Sequence, residues 1–196
     1  MGNDDVGAKI KSKGKLVVIS APSGTGKSTV IKEILRRRPE FAFSVSATTR
    51  PKRQHEQEGK DYFFLEKQKF EEMIENDEFF EWAEYVGNYY GTPIGPIMEH
   101  IDKGNTVLLD IEVQGACQVM NKAPYAITIF IVPPDTEELE RRLRGRGTDN
   151  EEKLLARLER AKLEQTESHN YKHIVVNDAV ARATEEILQI IERNEP

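Results

Sequence analysis

Lys15-Leu16-Val17-Val18-Ile19-Ser20-Ala21-Pro22-Ser23-Gly24-Thr25-Gly26-Lys27-Ser28-Thr29-Val30-Ile31 changes character twice over a short span. Lys15–Ser20 is a short apolar, β-branched run, the pattern of a parallel strand buried on both faces. From Ser28 onward Val30, Ile31, Ile34 and Leu35 fall at helical spacing and predict a helix over Ser28–Arg38. The loop between them, Ala21 to Ser28, fits the pattern of two glycines followed by Lys-Ser, with Ala21 where the general motif has glycine. A loop of this kind between a strand and a helix start points several backbone N–H groups at one place, which is a site for phosphate. Lys27 is then expected on the β- and γ-phosphates of a nucleotide and the Ser28 hydroxyl on Mg²⁺, while Gly24 and Gly26 let the main chain approach without a Cβ clash.

Working outward, the strand–helix alternation returns. Thr106–Asp110 reads as a strand, Val113–Asn121 as a helix, and Ala126–Val132 as a strand. A helix follows from Asp135, then a strand over Lys172–Val176 and a last helix through Val180, Ala183, Ile187 and Ile191. This order predicts an α/β fold, a mostly parallel sheet flanked by helices. Asp135 is placed to cap its helix, with Glu138 expected to return a reciprocal contact. Two stretches break the rhythm. Residues 46–92 are polar and aromatic, with a helix expected at Lys67–Asn76, and read as a small inserted α+β subdomain. Arg144–Glu151, Arg-Gly-Arg-Gly-Thr-Asp-Asn-Glu, cannot pack a core and has the composition of a lid. The expected division is therefore a flexible segment at 1–14, a core of 15–45, 93–140 and 169–196, an inserted subdomain at 46–92, and a lid region with its following helix at 141–168.

Composition narrows the function. The chain of 196 residues has no apolar run long enough to span a membrane and no apolar centre near its start, so a soluble, cytoplasmic protein is expected. A formal net charge of −6 argues against nonspecific nucleic-acid binding. Arginines nevertheless cluster at Arg36–Arg38, at Arg50 with Arg53, and at Arg141–Arg146, leaving room for a small polyanion; for Arg36–Arg38 a solvated helix surface is expected. The single cysteine, Cys117, reads as a small buried helix residue. His169 and His173 could share a metal only on a helix, and His173 begins an expected strand.

A phosphate loop alone is compatible with many nucleotide enzymes. Several further motifs resemble the guanylate kinase family in order and spacing: Phe43–Arg50 followed by Arg53, Glu56 and Gly59–Tyr62; Phe80-Glu81-Trp82; Gly87–Thr92; Leu109–Gly115; and Gly145–Thr148. The resemblance runs from about Lys15 to Asn177 and beyond. It implies transfer of the γ-phosphoryl group of ATP to GMP or dGMP, with Mg²⁺, in a fold of the nucleoside monophosphate kinase kind. It places Ala21, Pro22, Ser23, Gly24, Thr25, Gly26, Lys27, Ser28, Thr29 and Asn177 on ATP, with Asn177 near the adenine. Arg142, Arg146 and Arg157 are implied on the ATP phosphates and the transferring group, with Lys27 and Arg50 completing the catalytic set. Around GMP it implies Ser46, Arg50, Arg53, Glu56, Tyr62, Glu81, Tyr90, Thr92, Asp110 and Glu112; Asp110, at the end of a strand, would also orient Mg²⁺ beside Ser28. Glu81 is expected to accept from guanine N1–H and N2–H, and Thr92 to donate to the guanine carbonyl.

Two readings of other classes compete. A noncatalytic interaction module of the same family would keep the acceptor subdomain and let the phosphate loop decay, but Gly24, Gly26, Lys27 and Ser28 are all present. A GTP-hydrolysing switch would read guanine through Asn-Lys-x-Asp, and Asn121-Lys122-Ala123-Pro124 lacks the aspartate.

Overall fold

The computed structural model describes residues 14–145 and 151–194; residues 1–13, 146–150 and 195–196 lie outside the described residues, and with them Arg146 and most of the expected N-terminal and lid segments. Five strands build one wholly parallel sheet in the order β2 (Ala42–Phe43), β7 (Thr106–Asp110), β1 (Lys15–Ser20), β8 (Ile127–Val132) and β9 (His173–Val176). The register pairs Val18 with Leu109 and Thr128, so the C-terminal ends of β1 and β7 open at the same edge.

Alternate residues of these strands enter cores on opposite faces. Leu16, Val18, Leu109 and Phe130 pack with α3 (Ile94–Asp102) and α4 (Val113–Lys122) through Ile97, Ile101, Ala116 and Val119. Val17, Ile19, Leu108, Ile129 and Ile131 pack with α1 (Lys27–Arg37) and α7 (Val180–Arg193) through Val30, Ile34, Ala183 and Ile187. Every residue of β8 is buried, which accounts for its lack of polar alternation. Truncating a side chain such as Phe130 to alanine would cost about 3–5 kcal/mol.

A second sheet, in the order β4 (Phe63–Phe64), β3 (Ala47–Thr48), β6 (Asn88–Pro93) and β5 (Phe79–Tyr85), mixes one parallel and two antiparallel pairings. Its own small core holds Ala47, Phe70 and Phe79, with Phe70 supplied by α2 (Lys67–Glu75). Gln118 of α4 ties this sheet to the first: its side-chain oxygen accepts from Trp82 N at 3.3 Å and its amide donates to Trp82 O at 3.1 Å. A third cluster joins α5 (Thr136–Arg144) to α6 (Glu151–Thr166) through Leu139, Leu143, Leu154, Leu158 and Ala161.

Element boundaries follow the sequence reading to within a residue or so, with some differences. Neither β2 nor α3 was expected: β2 is two residues long, and Gly95-Pro96 hides the Ile94, Ile97, Met98, Ile101 stripe although proline is tolerated in a first helical turn. Asp135 caps α5 by accepting from Glu138 N at 2.7 Å, while the Glu138 carboxylate turns to Arg141 and Arg142 and not back to the cap. Cys117 is half-buried on α4, not buried, and Leu155 is exposed, outside the apolar stripe of α6. Arg36 is solvated and pairs with Glu33 as expected, whereas Arg37 and Arg38 are half-buried and tie α1 to α7 through Glu185 and Glu192. His169 lies in a single 3₁₀ turn and His173 on β9, so no helix face unites them. Among the described residues, no helix is long and apolar enough to cross a membrane.

Candidate active site

The phosphate loop leaves β1 at the open edge of the parallel sheet. Ser20, fully buried, donates its hydroxyl to Ile111 O at 2.9 Å, fixing the exit of β1 against the exit of β7. Ala21 is buried in the core under the loop, which explains why a methyl group is accepted where the general motif has glycine. Gly24 and Gly26 adopt φ of 92° and 90°, a region unfavourable for other residues. A methyl group at Gly24 would also stand 2.7 Å from Leu143 Cδ2, and one at Gly26 2.7 Å from Asn177 Nδ2. Gly26 is the cap residue of α1 and gives it no side-chain cap, and α1 has no acidic residue in its first turn, so its first N–H groups are available to an anion. Ser28 and Thr29 are exposed on that turn.

Lys27 lies along the loop with Nζ 2.7 Å from Asp110 Oδ1, 3.2 Å from Ile111 O and 3.6 Å from Glu112 Oε1. The strand-end carboxylate expected for Mg²⁺ is thus brought to the loop lysine, with Ser28 on the adjacent turn. Hydroxyl and carboxylate oxygens are hard donors that suit Mg²⁺. Glu112 is largely exposed at the start of α4.

Arg142 reaches the loop from behind. Its Nη1 donates to Thr25 O at 3.0 Å, Nη2 to Asn177 O at 2.9 Å, and Nε to Glu138 Oε1 at 2.7 Å. Asn177, 2 % exposed at the end of β9, donates Nδ2 to the same Thr25 carbonyl at 2.7 Å, and its Oδ1 is buried without a partner. Two side chains from distant segments therefore converge on one loop carbonyl. Glu138, whose role here the sequence did not suggest, is held by Arg141 and then Arg142 well below the usual carboxylate range, at about 2. Arg157 is half-buried on α6.

In the loop after β3, Glu56 is buried and accepts from both terminal guanidinium nitrogens of Arg50, at 2.7 and 3.0 Å, and from Arg53 N at 2.8 Å. Arg50 holds the Glu56 carboxyl down to about 2, with the Arg53 amide second. The Arg50 guanidinium also lies over the rings of Tyr62 and Phe64, 5.5 and 5.8 Å from their centroids, and Tyr90 meets Tyr62 edge to face. Ser46 is half-buried directly before β3, and the Arg53 side chain is exposed. Glu56 is thus a counter-ion that orients Arg50, a role its spacing in a loop did not reveal.

Glu81 and Thr92 face each other across β5 and β6, and the Thr92 hydroxyl donates to Glu81 Oε1 at 2.5 Å. Burial pushes the Glu81 carboxyl up, and the Thr92 hydrogen bond opposes that. A half-buried carboxylate beside a hydroxyl can accept from adjacent N–H donors of one base.

A phosphate loop at the open edge of a parallel sheet, a helix pair behind it, and a second sheet carrying a clamped arginine and a buried carboxylate define a P-loop nucleoside monophosphate kinase. The guanylate kinase family model matches residues 13–194. The chain is 48% identical over 183 residues to the guanylate kinase of Prochlorococcus marinus, covering 93% of this chain and 100% of that one. It is 50% identical over 184 residues to the guanylate kinase of Streptococcus thermophilus, covering 93% and 88%. A crystal structure of guanylate kinase from Anaplasma phagocytophilum superposes with a TM-score of 0.71 at 35% identity, covering 93% of this chain and 87% of that one. The chain belongs to the guanylate kinase family.

Proposed function

We propose that this protein is a catalytic guanylate kinase, an ATP:GMP phosphotransferase that converts ATP and GMP or dGMP to ADP and GDP or dGDP. The observation that carries this reading over a noncatalytic module is the intact loop, with Lys27 seated 2.7 Å from Asp110 beside an uncapped helix start. A scaffold has no use for that arrangement. Residues 46–92 serve as the acceptor subdomain, 15–45, 93–140 and 169–196 as the nucleotide-binding core, and 141–168 as the lid region with its following helix.

In the reaction an ionised phosphate oxygen of GMP attacks the γ-phosphorus in line, a new P–O bond forms, and the bond from the γ-phosphorus to the bridging oxygen breaks, releasing ADP. The attacking oxygen carries its charge near neutral pH, so no general base is needed. The work of the protein is to hold two anions together. Ser46, Arg50, Arg53, Tyr62 and Tyr90 hold the GMP phosphate, with Glu56 fixing the plane of the Arg50 fork. Glu81, Thr92 and Glu112 read the base, and Asp110 borders both substrates. The loop from Ala21 to Thr29 cradles the ATP phosphates, and Lys27 transfers its charge from Asp110 to the β- and γ-oxygens. Ser28 and Asp110 would hold Mg²⁺, which when bound supplies charge neutralisation on the phosphates. Arg142 serves ATP through the loop backbone it grips, Arg146 and Arg157 serve the transferring group, and Asn177 lies at the adenine side. The working compartment on this reading is the cytoplasm, with no membrane or nucleic-acid partner.

Purified protein incubated with ATP, Mg²⁺ and GMP, followed by chromatography of the nucleotides, tests the reading. Equal amounts of ADP and GDP are expected. ADP without GDP would make the protein a hydrolase, and neither product would make it a scaffold.

A further inference from the structure

Gly115 closes the Leu109–Gly115 motif, and none of the roles above uses it. It is the third residue of α4 and is buried, although glycine is among the least favourable residues inside a helix. Its neighbour across the fold is Glu81. A methyl group on Gly115 would stand 2.7 Å from Glu81 Oε2, 3.2 Å from Glu81 Cδ and 2.7 Å from Ile111 Cγ2. The Glu81 carboxylate is therefore confined between the Thr92 hydroxyl on Oε1 and the bare Cα of Gly115 beside Oε2. These three nearest atoms all belong to side chains. The low-energy response is rotation of the two side chains, which leaves the helix in place and moves the carboxylate.

We propose that Gly115 is a specificity-determining positioning residue: the side chain it lacks is the space that seats Glu81 in the orientation that accepts both donors of guanine. This rests on the reading of Glu81 as the guanine acceptor. Two consequences separate it from a general packing role. The ATP side, at the loop and Asn177, reaches this space only through Ile111, whose carbonyl accepts from Ser20 and Lys27, so filling the space at Gly115 affects GMP more than ATP. Aspartate is one methylene shorter than glutamate and draws its carboxylate back from α4, so it relieves the clash.

The test compares Gly115→Ala, Glu81→Asp, the double variant and Glu81→Gln by kcat/KM for GMP and IMP and by KM for ATP. A misplacement of about 1 Å can cost on the order of 100-fold, so Gly115→Ala should lower GMP efficiency by about 10- to 100-fold. IMP, which lacks the amino group, should lose less, and KM for ATP should stay within about twofold. Glu81→Asp should be harmful alone and neutral or restorative when Gly115→Ala is already present. Unchanged GMP efficiency in Gly115→Ala, with Glu81→Gln impaired, would overturn the inference and leave the Glu81 reading standing. Parallel losses for GMP and ATP, with no dependence on the residue at position 81, would also overturn it, as the mark of a packing defect. An unimpaired Glu81→Gln would remove the Glu81 reading and this inference with it.

Discussion

Replacing Arg142 separates two ways in which an arginine can serve ATP. Family likeness puts this residue on the ATP phosphates, whereas the structure gives its fork to the carbonyls of Thr25 and Asn177 and to Glu138. Hydrogen bonds from a charged donor contribute about 1.5–3 kcal/mol each, and the side chain is 22% exposed, so the lower end applies to the two carbonyl bonds, about 3 kcal/mol together. Asn177 still holds Thr25 O in the variant, which makes this an upper bound on the loss of loop order. At about 1.4 kcal/mol per tenfold, Arg142→Ala should lower kcat/KM for ATP by up to roughly 150-fold, with KM for GMP within about twofold. The decisive variant is Arg142→Lys. An ammonium keeps the charge for a phosphate but cannot span two carbonyls as the planar fork does, so it should resemble alanine to within about threefold. Asn177→Ala should combine with Arg142→Ala non-additively, because both act on Thr25 O. The assay is steady-state ATP kinetics at saturating GMP. Near-normal kinetics for Arg142→Lys, or a loss that falls on KM for GMP, would refute the loop-holding argument.

Other expectations are simpler. Lys27→Ala should lower turnover by at least about 100-fold while circular dichroism stays unchanged, because the lost charge acts on the transferring group; near-normal turnover would remove the phosphate-loop mechanism. The Glu56–Arg50 pair sets a pH dependence: Glu56 in the folded protein titrates at about 2, below its ordinary 4.5. Its contribution is complete above pH 4.5 and is lost as pH falls toward 2. Melting temperature against pH should therefore fall less steeply across that window in Glu56→Gln than in the parent protein, and identical slopes would show that the pair does not couple to folding. Gln118→Ala removes both links to Trp82 and should raise KM for GMP more than KM for ATP, measured by varying each substrate in turn.

What could be read from the sequence was what the chain encodes locally. Lys15–Ser20, Thr106–Asp110 and Ile127–Val132 announce themselves because strands buried on both faces are continuous apolar runs. The phosphate loop is legible because its glycines, lysine and serine act through backbone a few residues away. The two-residue strands β2, β3 and β4 carry no period and exist through partners distant in sequence, such as Val107 and Leu108 for β2. The helix at Ile94–Asp102 was hidden by Gly95-Pro96 despite its apolar stripe. At the site, residue types were readable and their partners were not. Nothing in the sequence paired Glu56 with Arg50, and Glu138 resembled half of a capping pair and holds Arg142. The contact of Gly115 with Glu81 joins two elements that only the assembled sheets bring together.

The central claim is that this site transfers a phosphoryl group to GMP and selects it through the polar floor formed by Glu81 and Thr92. The most direct measurement is kcat/KM for GMP, IMP and AMP with ATP and Mg²⁺ fixed. Sites built to hydrogen-bond a substrate reject an analogue lacking the partner by about 10⁴- to 10⁵-fold, so GMP should exceed AMP by that order, with IMP between them. Comparable efficiency for AMP and GMP, or no ADP formed with any of the three, would contradict the account.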